Sequence, residues 1–203
     1  EELTMNGVTA VRSHANLLPG DDPLRGVRAL LRLRDDEVVR RRVELQVVVL
    51  HGEAPEELLR EALRMGVDVL GGCPHMASDP AAAVDQALRL AEEFGVPIDL
   101  HADENLDPHS RDLRLLADRL RDRPRPGVTA SHCVSLVVRH VPDAEAAALA
   151  KEVAAAGIGV VTLPQTNLFL QGRDHPAPVP RGLTAVRALL DAKRPTAMPY
   201  VTE

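Results

Sequence analysis

The chain of 203 residues has one Tyr, two Phe and no Trp, so Leu, Val and Ala must fill its interior. It has only two cysteines, Cys73 and Cys133, far apart and without a C-x-x-C spacing. That argues against a disulfide scaffold and against a thiolate zinc site. Basic excess is also lacking: the formal charge is −6. A nucleic-acid partner is therefore not expected, because such binding rests on neutralising phosphates with Lys and Arg. No apolar run approaches the length of about 18 residues that a membrane span requires, and no secretory leader is legible. A soluble cytoplasmic protein without a membrane partner is the expectation. The chain opens EELTMNGV rather than on an initiator Met, which hints at a missing upstream segment.

What is present alternates. Short Val-rich runs at 7–14, 43–50, 67–72, 96–102, 127–133 and 158–164 read as strands. Between them lie helical patterns such as PEELLREALRMG and DPAAAVDQALRLAEEFG, with Pro at the start and Gly at the end. DPHSRDLRLLADRLRD, DAEAAALAKEVAAAG and LTAVRALLDA follow the same plan. The basic run RALLRLRDDEVVRRR mixes both charge signs at helical spacing and reads as a solvated helix face. Strand and helix in alternation, joined by short connections, mean βα units around a parallel sheet. No linker divides the chain, so residues 1–203 form one domain.

Two architectures suit this order, an open doubly wound sheet or part of a (β/α)8 barrel. The open sheet usually carries a Gly-rich phosphate loop after its first strand, and neither GGCPH nor NLLPGDDP has that spacing. Polar residues gather instead at the ends of several strands: His14, His75, His101, His132 and Gln165. Chemistry at successive strand tops favours the barrel. A full barrel needs about 250 residues and eight strands, so this one is incomplete by roughly two units.

The stretch VPIDLHADENLD carries the sharpest signal. Alternation places Asp99 and His101 on one face, toward the barrel interior, and Leu100 on the other. Glu104 can fold over the mouth as the chain turns. On the next strand Val128, Ala130 and His132 share a face, which predicts that His132 also reaches the interior. A neutral imidazole binds Zn²⁺ or Fe²⁺, and a nearby carboxylate can shuttle a proton to or from water. His14 and His75 either line a substrate pocket or satisfy loop backbone. His51, His109, His140 and His175 read as loop residues, and Cys133 as buried filler pointing away from His132.

The segments DLHADENLD, GVTASHCVSL, LPQTNLFLQGR and PRGLTAVRALLDA, with NGVTAVRSHANL and LREALRMGVDVLGGCPH before them, resemble cytosine deaminases and related amidohydrolases, in order, from about residue 5 to 192. The resemblance implies a metal-dependent barrel in which metal-activated water cleaves a ring C–N bond of a pyrimidine or triazine. It implies His101 as metal ligand, Glu104 as proton shuttle, and His132 as the residue that orients water and substrate. Gln165 and Asn167, with His75 and His14, fall on the expected substrate-binding surface. One divalent ion, Zn or Fe, is the implied cofactor, a small-molecule amine the substrate, and a homo-oligomer the implied assembly. A relative chemistry is removal of an alkylamine from an s-triazine. The zinc deaminases built on H-x-E and P-C-x-x-C are excluded by the cysteine spacing.

The family's paired H-x-H of the first strand has no match here, nor does the aspartate of its last strand; the chain ends KRPTAMPYVTE. The substrate-binding glutamine after the VELQVVV strand lacks a clear counterpart in LHGEAPEE. One histidine does not hold a catalytic metal against water. The accessory β-sandwich of the family is missing as well, and two readings stay open: the full protein carries these ligands and is active, or the chain is an inactive barrel fragment. The 203 residues alone are expected to bind no stoichiometric metal and to deaminate nothing.

Overall fold

A computed structural model describes residues 2–107, 109–134, 143–176 and 180–192. Six parallel strands run in sequence order: β1 (Ala10–Asn16), β2 (Glu44–Leu50), β3 (Val69–Gly72), β4 (Ile98–Ala102), β5 (Val128–His132) and β6 (Gly159–Val161). Each strand is bonded to its neighbour in the chain, and the sheet curls into part of an α/β barrel, the incomplete (β/α)8 architecture expected. The helices are α1 (Glu2–Met5), α2 (Arg25–Asp35), α3 (Glu37–Arg40), α4 (Glu56–Arg64), α5 (Pro80–Phe94), α6 (Asp112–Leu120), α7 (Asp143–Ala155), α8 (Pro164–Leu170) and α9 (Val186–Asp191). No helix among the described residues is long and apolar enough to cross a membrane.

Local chemistry accounts for the boundaries. The side chain of Asp79 accepts from the backbone N–H of Ala82 and Pro80 opens α5, while Gly95 closes it in a left-handed conformation. The basic run is broken at Asp36, whose carboxylate caps α3. The strand expected to reach residue 164 ends at Val161, because Pro164 starts α8 instead.

Register separates the two faces of the sheet. Leu70 pairs with Ile98, and Leu100 with Ala130. These side chains join Val47, Val49, Ala102, Val128 and Val160 in the core against the helices, beside Leu59, Val84, Leu90, Leu113 and Leu116. The other set of alternate residues lines the concave face: Arg12 opposite Gln46, Gly71 opposite Asp99, and His101 opposite Ser131. Gly71 has no room for a side chain, since a Cβ there would sit 2.6 Å from Val48 Cγ1 and 2.9 Å from the Val49 carbonyl oxygen. The strands approach closely there because the residue is glycine.

His51, read as a loop residue, follows β2 but is buried, 7% exposed, with its Nε2 beside Gly72. Neither ring nitrogen has a hydrogen-bond partner among the described residues. Burial pulls its pKa down to about 4. Cys133 is the buried filler expected, fully enclosed in the helix-side core. His140 lies outside the described residues.

Candidate functional site

The concave face carries an unusual number of polar groups for the inside of a sheet. At its floor Asp99, 3% exposed, accepts from Arg12 Nη1 at 2.7 Å and from Ser131 Oγ at 3.2 Å. Arg12 Nε in turn donates to Gln46 Oε1 at 3.1 Å. Burial pushes the Asp99 carboxyl up, but bonding to His14 and Arg12 and their positive charge hold it below the ordinary value. A buried carboxylate survives only when so compensated.

Above this floor, at the C-terminal ends of the strands, three imidazoles meet. The ring centroids of His14 and His101 are 4.8 Å apart, edge to face, and those of His101 and His132 are 5.0 Å apart. Glu104 closes the group, with Oε2 at 3.6 Å from His101 Nδ1 and Oε1 at 3.5 Å from His132 Nε2. One donor atom each from His101, Glu104 and His132 falls within 4.8 Å of the others. Burial pushes the Glu104 carboxyl up; hydrogen bonding to His101 and the positive charge of His132, His101 and His75 outweigh it and keep the group below the usual carboxylate value. Glu104 is therefore ionised at neutral pH. A cavity of about 300 Å³ opens beside it, lined also by Asn105, Leu106, Gln171, Arg173 and His175.

His132 arrives by a route the alternation does not give. Val128 and Ala130 face the helices, and by register His132 lies opposite Ala102, also on the helix side. The concave-facing residues of β5 are Thr129 and Ser131. The expectation that His132 shares the interior face with Val128 and Ala130 is corrected accordingly. Its backbone takes φ +68° and that of Cys133 φ +49°, which returns the ring to the concave side. Left-handed backbone at two successive non-glycine residues is costly and persists only where surroundings hold it. Here Thr184 Oγ1 donates to the His132 carbonyl at 2.5 Å, and the Cys133 N–H donates to the Ala102 carbonyl at 2.9 Å.

The turn after β4 is built in the same way. Asp103 has φ +51° and is buried, 1% exposed. Its Oδ1 accepts from the N–H of Asp112 at 2.7 Å and from Ser110 Oγ at 2.8 Å. Asp112 returns the bond, accepting on Oδ2 from the N–H groups of Asp103 at 3.1 Å and His75 at 2.9 Å. The same oxygen lies 3.2 Å from His75 Nδ1. Burial pushes the His75 ring down, and the Asp112 carboxylate overrides this and raises its pKa. The two aspartates thus tie the turn that carries Glu104 to the loop that carries His75.

Of the residues singled out from sequence, the structure gathers His14, His101, Glu104 and His132 at one mouth. His75 is anchored on Asp112 and acts on Glu104 through its charge. Asn167 is buried, 2% exposed, with its Oδ1 2.7 Å from His132 Nδ1. Gln165 is exposed on α8. Asp99 was placed on the interior face but given no role, and Arg12, Asp103, Asp112 and Thr184 were not singled out. Charged or amide residues at alternate positions of apolar strands (Arg12, Gln46, Asp99) were the available signal for the floor.

The Amidohydrolase family matches residues 2–199, nearly the whole chain. The chain belongs to the amidohydrolase family. Among curated amidohydrolase relatives, a pterin deaminase of Rhizobium rhizogenes is 39% identical over 143 residues, 69% of this chain and 32% of the relative. Among solved structures, 5-methylcytosine deaminase of Klebsiella pneumoniae with 5-fluorocytosine superposes with a TM-score of 0.82 at 34% identity, covering 94% of this chain and 47% of that one. N-isopropylammelide isopropylaminohydrolase of Burkholderia multivorans gives a TM-score of 0.74 at 31% identity, over 94% and 46%. The chain thus spans about a third to a half of the length of these amidohydrolases.

Proposed function

We propose that this chain forms part of a hydrolytic deaminase that replaces the amino group of a small nitrogen heterocycle with oxygen, releasing ammonia. The observation that carries the reading is the meeting of His101, Glu104 and His132 at the strand ends, with donor atoms within 4.8 Å of one another. Two imidazole nitrogens and a carboxylate oxygen form a donor set that suits Zn²⁺ or Fe²⁺. His101 is the residue assigned to hold the ion; with Glu104 and His132 beside it, this reading replaces the expectation of a metal-free, inactive fragment with that of a chain that binds one ion. When bound, such an ion supplies the Lewis acidity that lets water ionise near neutral pH.

The chain's own groups account for the proton traffic. Glu104, ionised and 29% exposed at its side chain, faces both the histidines and the cavity. Its carboxylate takes one proton from the attacking water and delivers it to the ring nitrogen, then takes the second from the new hydroxyl on the ring carbon and delivers it to the departing amine. His132, locked at the rim, orients water and substrate toward it. His14 and His75 flank the same mouth and, with Gln165, are assigned to the substrate side. The cavity of about 300 Å³ beside Glu104 has the dimensions of a small-ligand site. The net reaction is balanced by one water: the ring gains a carbonyl, and ammonia leaves.

The substrate class is a pyrimidine, pterin or triazine amine, the chemistries named by the relatives. The test is amine release by protein loaded with zinc or iron, from cytosine, a pterin and an N-alkylamino-triazine. Ammonia from the first or second is expected; alkylamine from the third alone would favour the triazine reaction. Folded, metal-loaded protein that releases neither from any of the three contradicts the reading.

A further inference from the structure

The α8 segment contributes a side chain to the site from behind. Asn167 is held in place by helical backbone bonds, its N–H donating to the Leu163 carbonyl and its own carbonyl accepting from Gln171 N–H. Its side chain, 2% exposed, cannot reach the open mouth, yet its Oδ1 stands 2.7 Å from His132 Nδ1. Its Nδ2 finds no hydrogen-bond partner among the described residues. An amide so placed is poorly explained by packing alone, because a buried donor left unmade costs stability.

A neutral imidazole carries one hydrogen, and the nitrogen without it presents a lone pair. An amide oxygen only accepts, so the contact requires the hydrogen on Nδ1. Nε2 is then the nitrogen that faces the site, 3.5 Å from Glu104 Oε1. We propose that Asn167 is a positioning residue: its side-chain oxygen holds the hydrogen of His132 Nδ1 and so keeps Nε2 turned toward Glu104 and His101. The backbone restraint is separate. Thr184 Oγ1 holds the carbonyl of the left-handed His132, so ring and main chain are pinned from two segments beyond β6. Partners that orient a site imidazole in this way commonly alter metal affinity when removed. The inference rests on the deaminase reading for its purpose, but not for its test.

The test is nitrogen-15 NMR of the histidine rings in metal-free protein, at a pH well above the ordinary imidazole value so that the ring is neutral and its tautomer is defined. In the wild type, His132 is expected to show a hydrogen-bearing Nδ1 and a bare Nε2. Asn167→Leu, close in volume but without an acceptor, should shift His132 toward the Nε2–H form and weaken zinc binding about 10–100-fold. Asn167→Asp, which keeps an acceptor in place, should restore the Nδ1–H form. A wild-type His132 with hydrogen on Nε2, or an Asn167→Leu variant with unchanged tautomer and zinc affinity, overturns the proposal. If Asn167→Leu does not fold, the Asp variant decides: Nδ1–H supports the assignment and Nε2–H refutes it. A tautomer shift in protein that turns over no amine would leave the positioning role standing and remove the deaminase reading.

Discussion

Glu104→Gln will lower the rate of ammonia release about 10²–10⁴-fold, the usual worth of a positioned proton-transfer group. The substitution keeps the shape of the side chain and removes its ability to take a proton. Gln can still lie 3.6 Å from His101 and 3.5 Å from His132, so the cavity wall stays in place. The loss should fall chiefly on kcat, and it is read at equal zinc content in the two proteins, because the carboxylate also belongs to the proposed donor set. Circular dichroism and the melting temperature will match the wild type, Glu104 being partly exposed and outside the aliphatic core. A loss of less than tenfold would mean that another group moves the proton.

The second large effect is on stability in acid, and it comes from His51. Its ring is buried with neither nitrogen bonded among the described residues, and its pKa in the fold is about 4 against an ordinary value of 6.5. The sign follows from linkage. Above pH 6.5 the ring is neutral in both states and contributes nothing to the pH dependence. As pH falls from 6.5 toward 4, the unfolded chain takes up the proton and the folded chain does not, so stability is lost across that window. At pH 4 the loss amounts to about 3 kcal/mol, a large share of the stability of an ordinary domain. His51→Leu removes the titrating group. The difference in unfolding free energy between pH 7 and pH 4 should therefore be smaller in the variant than in the wild type by about 3 kcal/mol, measured by urea unfolding at both pH values. Parallel pH profiles for the two proteins would show that the ring is accessible to protons in the fold.

How far these features could be read from residues alone differs from one to the next, for physical reasons. The six strands were legible because apolar runs of β-branched residues bounded by Gly, Pro and acids leave a local trace. His101 and Glu104 were legible because a strand that ends on His-x-x-Glu sets both side chains by simple alternation and a short turn. His132 was placed at the right mouth by the wrong reasoning: strand alternation puts it among Ala130 and Val128, and only a left-handed backbone returns it. No sequence period encodes that conformation, since it is stabilised by Thr184, 52 residues away. The aspartate pair, Asp103 and Asp112, escaped notice for a related cause, its bonds being to backbone N–H groups that any sequence could supply. Asn167 lay within the expected substrate surface, but α8 begins at Pro164 and turns it inward onto the histidine.

The central claim is that His101, Glu104 and His132 form one site for a divalent ion inside the curled sheet. Crystals of the protein soaked in zinc, with anomalous data at the zinc edge, test it most directly. The predicted result is a peak at bonding distance, about 2.0–2.1 Å, from a ring nitrogen of His101, with Glu104 and His132 turned toward it. Zinc found only at surface residues, with these three side chains pointing apart, would contradict it.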